Sequence, residues 1–233
     1  MTVVDLVAAV GLIDGLSLGA HLPVVVENDG RELRDLSSDT RNGGLGPLRV
    51  ELTWSFFETE TLALALRPFV TFPTGRARDY LSDNGQITGG AMLQTQVDLG
   101  RFRLAGEVGY EELSSDIDVG DLDFDARIRF GLGAEVFLLE ATEPAPPDEG
   151  GDPSPAAARQ PHAVSLGGEV FGWTAADRPF HDEREHPMEA LGFLRYRHEG
   201  WHLALTAAAG AGLDNGLGAP DYRLVFGVSW TWR

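Results

Sequence analysis

Apolar and polar residues alternate with period two along most of this chain, in blocks separated by turn-forming sequence. One block sets Leu48, Val50, Leu52, Trp54 and Phe56 against Arg49, Glu51, Thr53 and Ser55. Another sets Phe124, Ala126, Ile128, Phe130, Leu132, Ala134 and Val136 against Asp125, Arg127, Arg129, Gly131, Gly133 and Glu135. The last sets Tyr222, Leu224, Phe226, Val228, Trp230 and Trp232 against Arg223, Val225, Gly227, Ser229 and Thr231. Successive side chains of a strand point to opposite faces, so each block predicts a strand with one apolar and one polar face. Helical periodicity is absent. The pattern predicts eleven strands, at 2–12, 16–26, 46–57, 61–72, 87–99, 102–111, 123–138, 163–174, 188–198, 201–213 and 221–233. Each has about the length a tilted strand needs to cross a bilayer.

The predicted connections alternate in length. Short turns fall at Asp14-Gly15, Glu58 to Glu60, Gly100-Arg101 and Glu199-Gly200, and Asp-Gly is a strong hairpin signal. Long polar loops fall at 27–45, 73–86, 112–122, 175–187 and 214–220. The connection 139–162 belongs to the short-turn register but is long, with Pro144, Pro146, Pro147, Pro153, Pro155, Pro161 and Gly150-Gly151. It reads as a disordered insertion within a single domain spanning 1–233.

Composition narrows the function classes. The 233 residues carry 36 Asp+Glu against 18 Lys+Arg, a formal charge of −18, which argues against nucleic acid and against anionic lipid surfaces as partners. Cysteine is absent, excluding disulfides, thiolate metal sites and a cysteine nucleophile. The 43% hydrophobic content is enough for burial. No apolar run is long enough for a transmembrane helix, and no signal peptide precedes the first strand.

Alternation alone fits both a soluble barrel and a membrane barrel, which differ in the face that meets solvent. Three features favour lipid contact. The polar faces carry eight acids (Asp5, Glu51, Asp98, Glu107, Asp125, Glu135, Glu169, Glu189) and eight bases (Arg49, Arg67, Arg103, Arg127, Arg129, Arg195, Arg197, Arg223), the pairing a crowded interior demands. Aromatics gather near the short-turn ends (Trp54, Phe56, Phe57, Tyr196, Trp201, Trp230, Trp232) and near the long-loop ends (Phe72, Tyr110, Phe124, Tyr222), as interfacial girdles do. The asymmetry of loop length matches outer-membrane barrels. Such barrels have an even number of strands, so eleven strands imply a twelve-strand architecture with the first strand missing from the sequence. Measured against this reading is a soluble antiparallel barrel whose apolar interior binds a small apolar ligand.

Asp5-Leu-Val-Ala-Ala-Val-Gly-Leu12, Gly43-Gly44-Leu45-Gly46, Phe72-Pro73-Thr74-Gly75 and Gly218-Ala219-Pro220-Asp221-Tyr222-Arg223 give the chain a resemblance over nearly its whole length. It resembles the β-barrel portion of OmpA-family outer-membrane proteins and, more distantly, the outer-membrane transporter barrels of phenol-degradation clusters. The resemblance implies a transmembrane up-and-down barrel in the bacterial outer membrane. The family's signal peptide and peptidoglycan-binding domain are not in this sequence, so peptidoglycan anchoring is not carried over. The resemblance supplies no catalytic residues.

Other chemistry is weaker. Gly15-Leu16-Ser17-Leu18-Gly19 matches G-x-S-x-G, but a nucleophile elbow needs a helix after the serine, and alternating strand follows here. A lipase would recruit His21 or His202 to Ser17. Asp116, Asp118, Asp121, Asp123 and Asp125 form an acidic run that fits a solvated loop, or one bridging lipopolysaccharide through divalent ions. His181, Asp182, Glu183, Glu185 and His186 are a loop cluster without a zinc-helix spacing. No cofactor is expected. The interior Arg, Asp and Glu residues are the candidate site, lining a narrow pore or plugging the barrel by pairing.

Overall fold

The computed structural model describes residues 2–27, 44–74, 87–119, 122–139, 162–181, 186–214 and 221–230. They form a twelve-stranded antiparallel sheet: β1 (Thr2–Ile13), β2 (Leu16–Glu27), β3 (Gly44–Leu45), β4 (Leu48–Glu58), β5 (Leu62–Phe72), β6 (Thr88–Leu99), β7 (Phe102–Val119), β8 (Leu122–Leu139), β9 (His162–Ala175), β10 (Met188–His198), β11 (Leu203–Gly212) and β12 (Arg223–Trp230). Strands neighbour one another in chain order, except that two-residue β3 pairs with the end of β2. Eleven of these strands lie where alternation predicts them; β3 is additional. The insertion expected at 139–162 lies, apart from Leu139 and His162, outside the described residues.

Glycine permits two of the tight turns. Gly15 has φ +75° and Gly100 φ +65°, a region closed to most side chains. The Gly15 carbonyl also accepts the Ser55 N–H at 2.7 Å, tying the first turn to the end of β4. The turn predicted at Glu199-Gly200 is a short 3-10 turn over Glu199–Trp201, leaving His202 at φ 51°.

One predicted loop is instead strand. The segment 112–122 continues β7 to Val119 and starts β8 at Leu122, extending a hairpin with Ile117 opposite Phe124 and Asp118 opposite Asp123. Its composition is loop-like, yet each arm supplies the other's backbone partners, and a register shift between Glu112 and Ile117 accommodates the change. Asp116 and Asp118 therefore lie on β7 and Asp125 on β8; their side chains, and all of Asp121, are outside the described part.

The ladder keeps like faces together. Glu51 sits opposite Phe69, Arg67 opposite Met92, Gln94 opposite Glu107, Glu107 opposite Gly131, Glu135 opposite Gly167 and Arg195 opposite Thr206, so one surface of the sheet carries all of these. This surface is concave: its ion pairs skip strands, and a single cavity is walled from β4 through β9. The concave face is also the buried one. Phe69, Met92 and Leu191 are covered there, and so are Thr88, Glu111, Glu135, Ser165 and Glu189. The convex face is apolar and exposed, with Leu66, Leu93, Leu104, Val108, Leu132, Leu194 and Leu205 all uncovered. The polarity is that of a soluble protein turned inside out.

Among the described residues, β1 pairs only with β2 and β12 only with β11. The sheet is therefore not closed into a barrel, and the expectation of a closed barrel extends as far as the twelve-strand antiparallel sheet.

Candidate functional site

The concave face is organised as a set of ion pairs within and between strands. On β4, Arg49 donates to Glu51 at 3.1 Å and lies over the Phe69 ring, 3.7 Å from its centroid. Arg67 of β5 donates to Glu107 of β7 at 2.9 Å and lies 3.9 Å from Glu51. Gln94 of β6 completes this group by donating to Glu107 at 3.1 Å. Arg129 of β8 pairs with Glu111 of β7 at 3.2 Å, and Thr88 of β6 donates to the same carboxylate at 3.3 Å. These groups occupy the long-loop half of the sheet and its middle.

The short-turn half repeats the device. Arg103 donates to Asp98 at 2.6 Å, with Gln96 donating at 2.8 Å. Arg195 of β10 reaches Glu135 of β8 at 3.3 Å, and Ser165 of the intervening β9 donates to the same carboxylate. Arg103 and Arg197 both face the Phe137 ring, each 5.2 Å from its centroid. Back in the long-loop half, Arg127 covers Trp173 at 4.5 Å. Near the open edge of the sheet, Arg223 pairs with Glu189 at 2.8 Å and His21 with Asp5 at 2.8 Å.

Desolvated charge is tolerable only when paired and hydrogen-bonded. Glu111 and Glu135 satisfy this condition: each is nearly covered and each receives an arginine plus a hydroxyl. Glu169, opposite Leu191 and Gly133, borders the cavity. The cavity, ≈ 640 Å³, is lined by small and neutral concave-face residues such as Ser55, Ala65, Gln96, Ala105 and Gly133, with Glu107, Glu169 and Phe171 at its charged and aromatic margin. A Cβ on Gly131 would stand 3.2 Å from Cγ of Glu107, so a side chain there enters the cavity beside that carboxylate. The cavity lies in the short-turn half, and the buried side chains Thr71, Thr88, Met92, Phe69 and Glu111 occupy the long-loop half beyond it.

The ladders place Arg49, Glu51, Arg67, Asp98, Arg103, Glu107, Arg127, Arg129, Glu135, Glu169, Glu189, Arg195, Arg197 and Arg223 on the concave face. The side chain of Asp125 is outside the described part. Sequence reasoning omitted Glu111, although the run Arg103, Glu107, Glu111 on one parity signals it. It also omitted the concave-face aromatics Phe69, Phe137, Trp173 and Phe193, which the same parity would have found and which the arginines cover.

Trp54, Phe56, Trp201 and Trp230 are exposed at the short-turn rim, and Phe72, Tyr110 and Tyr222 near the other. Tyr196 is half-buried, its hydroxyl 2.7 Å from Nδ1 of His162, while His198 stacks on Trp201 at 4.1 Å. Trp232 is outside the described residues.

Ser17 lies one residue into β2, just after the Asp14-Gly15 turn, opposite Gly11 and Thr53, with strand following it and none of the helix a nucleophile elbow requires. His21 is engaged with Asp5. In the loop after β9, Asp182 to Glu185 are outside the described residues, and His186 lies 3.6 Å from Asp214. Among the described residues no group of His, Asp and Glu is arranged to hold a metal, and no helix is long and apolar enough to cross a membrane.

No protein-family model matches the chain, and no curated protein matches it.

Proposed function

We propose that this chain is a bacterial outer-membrane β-barrel protein with an envelope-structural role or a narrow pore for small solutes. The inverted polarity of the sheet carries the reading. A convex face lined with exposed Leu, Val, Phe and Trp suits hydrocarbon. A concave face of paired Arg, Asp and Glu suits a wet or self-neutralised lumen. The outer-membrane lipid is then the partner along the strands. Lipopolysaccharide, bridged by divalent ions to the acidic segment that includes Asp116, Asp118 and Asp121, is the partner at the loops. The concave face carries acids and bases in nearly equal number, so such a pore selects weakly between cations and anions.

The competing soluble barrel with an apolar interior fits less well, because its interior would have to be the face that carries Glu111, Glu135 and Arg67.

The test is extraction. The folded chain is expected to require detergent and to migrate differently on a gel before and after heating. A monodisperse protein in plain buffer overturns the reading.

A further inference from the structure

We infer that the cavity on the concave face is a binding site for a small organic monocation of the alkylguanidinium or alkylammonium class, held between the Glu169 carboxylate and the Phe171 ring.

The rest of the face shows what these two side chains are suited to. Its other aromatic rings each face an arginine of this chain: Arg49 lies at Phe69, Arg103 and Arg197 at Phe137, Arg127 at Trp173 and Arg195 at Phe193. Phe171 has no guanidinium over it among the described residues. The carboxylates follow the same rule. Glu51, Glu107, Glu111, Glu135 and Glu189 each meet an arginine. No described residue forms an ion pair with Glu169 or donates a hydrogen bond to it, and Arg195 is committed to Glu135 at 3.3 Å. The ring without a cation and the carboxylate without a base are two residues apart on β9. They therefore share a face, about 7 Å apart along the strand.

The space before them is open. Both line the cavity of ≈ 640 Å³, a volume suited to a small organic molecule. Across the ladder on β8, Glu169 faces Gly133 and Phe171 faces Gly131, so no side chain of that strand stands between them and the cavity. The charged residues of the lining are Glu107 and Glu169, and no arginine or histidine is among them. Arg67 neutralises Glu107 at 2.9 Å, leaving one uncompensated carboxylate. A ligand with a single positive charge matches it. Its N–H groups donate to Glu169, and its charge rests on the face of Phe171, an attraction that strengthens when water is displaced. The ligand thus takes up the contacts that arginines of the chain make elsewhere on the face. The site needs only the concave face and holds in lipid or in water, so it is independent of the proposed membrane function.

The test is calorimetric titration of the full chain with n-butylguanidinium chloride, in whichever of detergent or buffer keeps it folded. One probe per chain is expected to bind, with a dissociation constant below about 1 mM. n-Butylurea has the same shape without the charge and is expected to bind at least about tenfold more weakly. Glu169→Gln keeps the shape of the side chain and strips no described residue of a partner, so the fold is retained; it is expected to weaken the probe at least about tenfold. Phe171→Leu keeps an apolar side chain without the ring and is expected to weaken it about three- to tenfold. Circular dichroism checks that both variants remain folded. No binding up to about 10 mM probe overturns the inference, as does equal affinity for n-butylurea. Binding unchanged in Glu169→Gln or in Phe171→Leu also overturns it, because the cation then sits elsewhere.

Discussion

Arg195 on β10 places its guanidinium 3.3 Å from the Glu135 carboxylate on β8, spanning the strand between them, whose Ser165 donates to the same carboxylate. The two residues are 60 positions apart in the chain. The pair links β8 to β10 across β9 and neutralises a carboxylate that is almost fully covered.

Glu135→Ala removes the acceptor and leaves Arg195 and Ser165 without it. The expected cost is about 2–4 kcal/mol, because a half-buried charge loses its partner. Denaturant titration of folded protein measures it, and a double-mutant cycle with Arg195→Ala is expected to return a coupling above about 1 kcal/mol. Independent effects would show that the contact does not stabilise the sheet.

Leu132 and Gly131 are adjacent and point to opposite faces. Leu132→Arg is expected to lower stability in a bilayer by about 2–4 kcal/mol, because it sets a charge against hydrocarbon. Gly131→Ser on the concave face is expected to cost much less. Refolding titrations into lipid vesicles compare the two. A harmless Leu132→Arg would mean that the convex face meets water.

Arg129→Ala opens space beside Glu111 in the buried long-loop half. Conductance in a planar bilayer is expected to rise, with a shift toward cations because Glu111 loses its counter-charge. Unchanged current and selectivity would remove Arg129 from the lining of any solute path.

Gly131→Leu projects a side chain into the cavity, where even a Cβ approaches Glu107. The strand stays in place, since neighbouring concave positions carry larger residues. Any conductance is expected to fall at least several-fold. Equal current in both proteins would place the solute route elsewhere.

Strand positions were legible in the sequence because period two is a local property, set by the steric geometry of each extended residue. Leu48 to Phe56 and Tyr222 to Trp230 announce themselves with no knowledge of their neighbours. The division of Arg, Asp and Glu to one face was legible for the same reason, and it identified the candidate site. The extended arms from Glu112 to Val119 and from Leu122 were not legible. Their polar composition is that of a loop, and only mutual hydrogen bonding holds them straight.

Pairing was decided by tertiary structure. Which carboxylate meets Arg67 or Arg195 depends on register across several hairpins, including the shifts at Ser55/Phe57 and Phe137/Leu139, and one residue of slip moves every side chain to the other face. The cavity beside Gly131 and the unpaired outer edges of β1 and β12 among the described residues are likewise products of how the strands assemble. Alternation along the chain determined the strands and their two faces, since those depend on each residue and its immediate neighbours. The fold alone decided which charges neutralise one another and where the sheet remains open, since those depend on residues brought together from distant parts of the chain.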